Sequence, residues 1–291
     1  MKKPLKIVVL AKQVPDTRNV GKDAMKEDGT VNRAALPAIF NPEDLNALEQ
    51  ALRLKDANPG STIQILTMGP TRAADIIREG MFRGTDGGVL LTDRKFAGAD
   101  TLATSYAISA AIRKMEPDII VAGRQAIDGD TAQVGPQVAE KLGWPQVTYA
   151  EEIKGFEKDE LVIVRRLESG VETVTCKLPL VVTVNGSAPE CRPRHAKLLM
   201  KYKHAKTVTE EQENAEDYYM DLRQSRGLVI PEWGVADVGA DPEECGLSGS
   251  PTKVKKIENI VFQAKESKRY TASEADMNEL MSELIANHTI G

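Results

Sequence analysis

Apolar and polar residues follow two regular patterns over the first two-thirds of the chain. Four short apolar runs predict buried strands, at residues 7–10, 62–68, 89–92 and 118–122. Segments with apolar residues at helical spacing separate them and predict helices, at residues 43–54, 73–81, 101–115 and after Thr131. Strands that alternate with single helices favour right-handed crossovers. The pattern therefore predicts an α/β protein with a parallel sheet covered by helices on both faces.

The pattern changes after the fourth strand. Residues 160–166 and 172–177 predict two strands joined by a turn at residues 168–170, a β-hairpin, and residues 179–184 predict a further strand. Beyond residue 201 a basic stretch is followed by an acidic one, and then by a tract at 231–252 with many glycines and prolines. A solvated linker is one interpretation. A tract this long and irregular also fits an arm that packs on something else.

The last segment predicts a helix. Thr271 and Glu274 have the spacing of a capping box. The residues that follow place an apolar stripe on one face, formed by Met277, Leu280, Met281, Leu284 and Ile285.

The strongest chemical signal is the loop after the fourth strand. Residues 123–137 read GRQAIDGDTAQVGPQ, and they lead into a helix with Val134, Val138 and Leu142 on one face. Such a strand–loop–helix turn directs backbone N–H groups and the positive end of a helix dipole at one point, where phosphates bind. The glycines alone could serve only turns and packing. The whole string favours a nucleotide-binding loop.

Composition excludes several classes of function. The 291 residues carry a formal charge of −5, which gives no reason to expect a nucleic-acid partner. Three cysteines and three histidines are scattered without metal-ligand spacing, and the sparse cysteines suggest a reducing compartment. No apolar run reaches the roughly 18 residues that span a bilayer. We therefore expect a soluble, cytoplasmic protein without a membrane span or a metal site.

Common nucleotide and catalytic signatures are missing from the chain. There is no G-x-G-x-x-G turn after a strand and no G-x-x-x-x-G-K-[ST] loop. No acid–base pair or activated nucleophile stands out. The sequence predicts a protein that holds a nucleotide-bearing group without supplying a catalytic triad, so we assign no catalytic residue.

Several motifs in one order resemble the β subunits of electron transfer flavoproteins. They include the first strand, the Asn41-Pro-Glu-Asp sequence, Met68-Gly-Pro, the long loop and Leu142-Gly-Trp-Pro-Gln, followed by the hairpin region up to Val184. The resemblance implies a three-layer sheet of the adenine-nucleotide α-hydrolase-like type, with a β-hairpin addition and an extended C-terminal arm. It also implies a heterodimer with an α subunit.

The resemblance places domains and nucleotide contacts on this chain. We expect a nucleotide-binding α/β domain over residues 1–200, with the hairpin at 160–177 and a recognition loop at 190–200. An arm and helix over 201–291 would pack on the partner subunit. The implied cofactor contacts are Leu10, Ala11, Asn41, Pro42, Glu43, Asp44, Met68, Gly123, Arg124, Gln125, Ala126, Ile127, Asp128, Gly129, Asp130, Thr131, Ala132, Gln133 and Val134. Leu198 would be the apolar anchor of the recognition loop.

The resemblance leaves two ligands open, FAD and AMP. Family members that bind AMP tend to carry bulkier or more polar residues in the long loop, where this chain has Gly129, Ala132 and Val134. Smaller side chains would leave room for the ribityl diphosphate of FAD. These and other positions resemble the electron-bifurcating branch. They could also be lineage differences without consequence for the ligand.

Individual residues of the loop have alternative roles. Two carboxylates beside a phosphate would repel it, so Asp128 and Asp130 are expected to point away, with helix capping at Asp130 or Thr131. Arg124 could neutralise a phosphate or pair with Asp128.

Three functions follow. In the first, a β-bound FAD accepts a hydride from NADH and passes electrons to the α-subunit flavin and to ferredoxin or flavodoxin. In the second, AMP is structural and electrons come from an acyl-CoA dehydrogenase-type partner. The third is a nucleotide-sensing module of the universal-stress type, against which the hairpin and the arm argue.

Overall fold

The computed structural model describes residues 4–16, 36–212, 222–252 and 267–290. Thirteen strands are defined in these ranges: β1 Lys6–Leu10, β2 Gln13–Pro15, β3 Ala38–Phe40, β4 Thr62–Met68, β5 Gly87–Leu91, β6 Ile119–Gly123, β7 Gln146–Glu157, β8 Glu160–Leu167, β9 Gly170–Cys176, β10 Leu180–Val184, β11 Lys206–Thr207, β12 Val229–Ile230 and β13 Glu232–Trp233. The helices named below are α1 Pro42–Ala57, α2 Ala74–Met81, α3 Thr101–Met115, α4 Val134–Leu142, α5 Ala196–Tyr202, α6 Val208–Gln212 and α7 Glu274–Ala286.

Nine strands of the described residues form one sheet in the order β13-β5-β4-β1-β6-β10-β7-β8-β9. Pairing is parallel from β13 to β7 and antiparallel across β7, β8 and β9. The predicted α/β class and parallel sheet are therefore confirmed. The hairpin is also present, as β8 and β9, and the long strand β7 joins it to the parallel part.

Alternation along the central strands divides the core between the two faces of the sheet. On β1, Ile7 and Val9 join the apolar cluster that includes α1 and α2, whereas Val8 and Leu10 join the cluster that includes α3 and α4. Strand β10 is buried along its whole length. Fully buried aliphatic strands of this kind are typical of parallel sheets with both faces covered.

The tract after residue 228 packs on the α/β domain. Strand β13 adds to the free edge of β5, with N–H···O bonds from Leu90 to Pro231 and from Thr92 to Trp233. Val235, Ala240 and Cys245 are buried in the cluster beneath α3. Backbone pairing with the edge of β5 and the burial of a few apolar side chains therefore hold this irregular tract on the domain.

Helix α7 differs from that tract because none of its residues is buried. Its N-cap is Ser273, whose hydroxyl accepts the N–H of Asp276, so the capping residue lies two positions after Thr271. Within the described ranges, no helix is both long and apolar enough to cross a membrane.

Candidate nucleotide-binding site

Segments predicted to bind a nucleotide meet at the carboxyl ends of the parallel strands. Leu10 at the end of β1 lies opposite Ala122 of β6, which brings Ala11 beside Gly123. Met68 ends the neighbouring strand β4 and is half-buried. Ligands of open α/β sheets bind at this edge. The structure thus brings together the strand ends, the first turn of α1 and the loop at 123–134.

A cleft of about 1160 Å³ lies at the opposite edge of the sheet, lined by Asp118, Trp144, Lys177 and Pro179 among others. These residues precede or lie near the amino ends of strands, and the rim carries exposed charges of both signs. We take the carboxyl edge as the candidate site, because the strand polarity and the loop geometry both favour it.

Asp44 joins the two central strand ends. Its side chain is buried, and its two carboxylate oxygens accept the N–H of Lys12 at 2.8 Å and the N–H of Gly123 at 3.1 Å. Burial raises the pKa of this carboxyl to about 7, although both N–H donors and Asn41 act in the opposite direction. Asp44 therefore fixes the relative positions of the segments that follow β1 and β6.

Asn41 and Glu43 hold the next residues of the loop. The Asn41 amide accepts the N–H of Ile127 at 3.1 Å and donates to the carbonyl of Gln125 at 2.8 Å. Glu43 accepts the N–H of Gln125 and a guanidinium N–H of Arg124, both at 3.0 Å. We call Asn41, Glu43 and Asp44 the α1 clamp. Their side chains contact the loop itself, which gives these predicted contact residues a positioning role.

Two of the three loop glycines are required by packing. A Cβ on Gly123 would lie 2.4 Å from Oδ1 of Asp44 and 2.7 Å from the backbone carbon of Glu43. A Cβ on Gly135 would lie 2.6 Å from Cγ2 of Thr183. At Gly129, in contrast, no atom of the described residues lies within 4 Å of an added Cβ. The loop is therefore packed tightly at its ends and is open at its middle.

The charged side chains of the loop have partners that differ from the predicted ones. Asp128 pairs with Lys12 at 2.8 Å and Asp130 accepts the Gln125 amide at 2.9 Å, while Arg124 pairs with Glu43 and not with Asp128. Capping by Asp130 or Thr131 was wrong. Helix α4 starts later, with Gln133 at its N-cap, because Asp130 and Ala132 adopt positive φ and extend the loop.

The amino terminus of α4 differs from the other helix termini at this edge. The first turn of α1 holds Glu43 and Asp44, that of α2 holds Asp75, and Asp100 caps α3. Helix α4 has no acidic residue in its first turn, and no side chain in the described part of the chain caps it. The positive end of α4, directly after the open part of the loop, therefore has no acidic residue of its own first turn beside it.

Leu198 lies in α5, which packs beside α2. It is half-buried, whereas Met200 in the same helix is 61% exposed. Ion pairs hold the segment before α5 on the domain, from Arg192 to Glu49 and Asp56 and from Arg194 to Glu79. The structure therefore offers Met200 as the more exposed apolar side chain of the predicted recognition loop.

Sequence reasoning did not assign two residues that the structure places at the site. Lys12 is the second residue after β1, and its position just beyond a strand end was the available signal. Tyr149 lies in a bulge of β7, where φ is +58°, and its phenol is beside Arg124. A bulky residue with positive φ is unusual and often marks a functional position. No period-2 pattern could have indicated it, because the bulge breaks that pattern.

Comparison with known proteins decides the family. The model of the electron transfer flavoprotein domain matches residues 28–215. An electron transfer flavoprotein subunit β from Megasphaera elsdenii is 44% identical over 260 residues, which cover 87% of each chain. The chain belongs to the electron transfer flavoprotein β-subunit family. The fold class inferred from the motifs is the one expected for this family.

Two further relatives have names that mention acyl-CoA chemistry. A caffeyl-CoA reductase–Etf complex subunit of Acetobacterium woodii is 41% identical over 251 residues, 86% of each chain. An acryloyl-CoA reductase electron transfer subunit γ of Anaerotignum propionicum is 52% identical over 183 residues, 62% of this chain and 67% of that protein. Proteins of this family transfer electrons, and their β subunits pair with an α subunit.

Proposed function

We propose that this β subunit binds FAD at the loop of residues 123–134 and takes part in electron bifurcation with its α subunit. NADH would be the electron donor, and the α-subunit flavin and a ferredoxin or flavodoxin would be the two acceptors. Bound FAD supplies the ability to accept a hydride and to release electrons singly. The residues of this chain bind and orient the group and set its surroundings.

The open middle of the loop is the observation that carries the proposal. Gly129 has free space around it, and the uncapped start of α4 follows within a few residues. An anionic diphosphate fits this combination of space and N–H donors. The side chains of the α1 clamp hold the backbone of the loop in place, so the loop has its conformation before a ligand binds. The positive charge of Arg124 is paired with Glu43 of α1.

The relatives support an acyl-CoA-linked partner. Two of them are named as subunits of reductases for caffeyl-CoA and acryloyl-CoA. We infer that the heterodimer exchanges electrons with an acyl-CoA dehydrogenase-type enzyme. The recognition loop around Leu198 and Met200 is the proposed contact, because it presents a half-buried and an exposed apolar side chain beside several lysines.

AMP is the alternative ligand, since the adenosine monophosphate part is common to both molecules. The experiment is to purify the full chain with its α subunit and to identify the released nucleotides by chromatography. Two FAD and no AMP per heterodimer, with bleaching of the flavin by NADH, would support the proposal. One FAD and one AMP would overturn it and leave an ordinary electron carrier. A chain that captures no nucleotide at all would contradict both assignments.

A variant tests whether the loop is the site. Gly129→Val adds a branched side chain at a position where a Cβ meets no atom of the described chain within 4 Å, so the fold should persist while the β-site nucleotide is lost. Thr173→Val on the exposed strand β9 introduces the same side chain away from the loop and should retain both nucleotides. Equal nucleotide content in the two variants would contradict the location of the site.

A further inference from the structure

Lys12 has a fixed backbone and a loosely held ammonium group at the edge of the loop. Its N–H donates to Asp44 at 2.8 Å, and its carbonyl accepts the N–H of Asn41 at 3.0 Å. Its ammonium contacts Oδ1 of Asp128 at 2.8 Å. The side chain of Lys12 is 50% exposed. The anchor is therefore firm, while the charged end can move within reach of the loop.

Arg124 is the other cation at this loop, and it is committed elsewhere. It is 29% exposed, and its guanidinium pairs with Glu43, a residue that also accepts the N–H of Gln125. The hydrogen bond with Glu43 holds the pKa of Arg124 above its usual value. Moving Arg124 to a ligand would remove one of the two bonds by which Glu43 holds the loop. Moving Lys12 would break a single, partly exposed ion pair, and such pairs contribute little to stability.

Asp128 has the position of an internal competitor. Asp128 immediately precedes Gly129, and its carboxylate gives the Lys12 ammonium group an anionic partner that a phosphate oxygen could replace. A phosphate carries more charge than a carboxylate and forms stronger charge-assisted hydrogen bonds with an ammonium group. A phosphate-bearing ligand at the loop would therefore take Lys12 from Asp128.

We propose that Lys12 is a phosphate-binding residue of this site, and that Asp128 holds its ammonium group until a nucleotide phosphate replaces the carboxylate. This inference rests on the proposed nucleotide site, and it adds the residue that distinguishes nucleotides from nucleosides. Lys12 strengthens binding of the phosphate, and Asp128 weakens it by competition for Lys12. The adenosine part of the ligand is recognised independently of both residues.

The test compares ligands with and without phosphate. The full chain, freed of bound nucleotide, is titrated calorimetrically with adenosine, AMP and ADP at constant ionic strength. Lys12→Met should weaken AMP and ADP roughly tenfold or more, the range of a hydrogen bond to a charged group, and should leave adenosine within about twofold. Lys12→Arg retains the charge and should restore most of the AMP affinity. Lys154→Met, an exposed lysine of β7, makes the same change in net charge and should leave all three affinities unchanged.

The competitor role of Asp128 has its own prediction. Asp128→Asn should strengthen AMP binding in the otherwise unchanged chain, and this gain should disappear when Lys12→Met is also present. Salt should weaken AMP binding less in Lys12→Met than in the unchanged chain, because one ionic contact is missing. Thermal unfolding of each variant shows whether the fold is retained.

Each outcome supports or overturns the assignment. Equal losses for adenosine and AMP in Lys12→Met, or no loss for either, would overturn the role of Lys12 and leave the nucleotide site intact. Failure of the unchanged chain to bind adenosine, AMP and ADP would overturn the nucleotide site together with the role of Lys12. If Asp128→Asn still strengthened AMP binding in the presence of Lys12→Met, competition for Lys12 would be ruled out and repulsion by Asp128 would explain the gain.

Discussion

Burial of Asp44 makes the stability of the protein depend on pH. The pKa of this carboxyl rises from 3.8 to about 7 in the folded state, because burial disfavours the charged form. Between these values the folded state holds a proton that the unfolded state releases. The stabilising contribution is therefore present below about pH 4 and is lost as the pH rises through about 7.

We expect the Asp44 contribution to the free energy of unfolding to fall between about pH 4 and pH 7. Each pKa unit of difference corresponds to about 1.4 kcal/mol. Asp44→Asn should flatten this part of the profile and should lower stability overall, since an amide cannot accept both N–H groups in the same way. Urea unfolding across this pH range measures the slope. Asp159→Asn, at an exposed position of the β7–β8 turn, should leave the slope unchanged.

Gly123 and Gly129 form a matched pair for a packing prediction. Gly123→Ala places a methyl group 2.4 Å from Asp44 and should lower the free energy of unfolding by about 1–3 kcal/mol, as overpacking does in close-packed regions. Gly129→Ala meets no atom of the described residues and should change it by less than about 0.5 kcal/mol. Chemical denaturation of both variants checks this order. Similar losses at the two sites would contradict the packing difference.

At the scale of elements, the conformation of the loop depends on the α1 clamp at the start of one helix. Asn41→Ala removes the bonds to Gln125 and Ile127. We expect faster amide hydrogen exchange at Ile127 and in the adjoining residues, with the core of α1 still protected. Gln50 lies on the same helix and makes a similar pair of bonds to Glu151 and Ile153 of β7.

Gln50→Ala is therefore the control for the clamp. It should raise exchange at Ile153 and leave the loop protected. If both variants loosened the loop equally, the effect would come from α1 as a whole and not from the bonds of Asn41.

The regular elements could be predicted from the sequence because their apolar patterns are uninterrupted. Strands β1, β4 and β6 and helix α3 follow the predicted ranges closely. Strand β7 could not be predicted in this way, since register shifts near Tyr149 and Glu151 break its alternation. Strand β13 has two residues, too few to carry a period. The strand–loop–helix pattern and the family resemblance could predict a candidate site at the carboxyl edge. The partners of Arg124 and Asp128 could not be predicted, because they lie in or next to α1 and β1, which are distant in sequence.

At the scale of the whole molecule, the tract at 229–252 and helix α7 have different roles although both follow the sheet. Asp93 accepts the N–H of Val235, and Asp100 accepts the N–H of Thr252 at 3.1 Å. These bonds and strand β13 make the tract part of the α/β domain. We therefore restrict the proposed partner-binding arm to the residues that follow the tract.

Helix α7 is the described part of that arm, and it presents its apolar stripe unburied. Met277, Met281 and Ile285 are 41%, 48% and 55% exposed, and they recur at a spacing of four residues, which places them on one face. The opposite side holds polar residues, and Lys268 and Tyr270 bond to Glu283 of the same segment. An exposed stripe of this kind needs a partner surface to be buried. Because the β subunits of this family pair with an α subunit, we propose that the α subunit covers the stripe.

Met281→Asp should therefore weaken the heterodimer without loosening the α/β domain. A charge inside an apolar contact costs at least a few kcal/mol of binding free energy, which corresponds to roughly a hundredfold weaker association. Ala275→Asp adds the same charge two positions before Met277, on the opposite face of α7, and should leave association nearly unchanged. Sedimentation of each variant with the α subunit measures the dissociation constant, and thermal unfolding of the isolated chain checks the domain. Equal weakening by both substitutions would show that charge near α7, and not its apolar face, controls pairing.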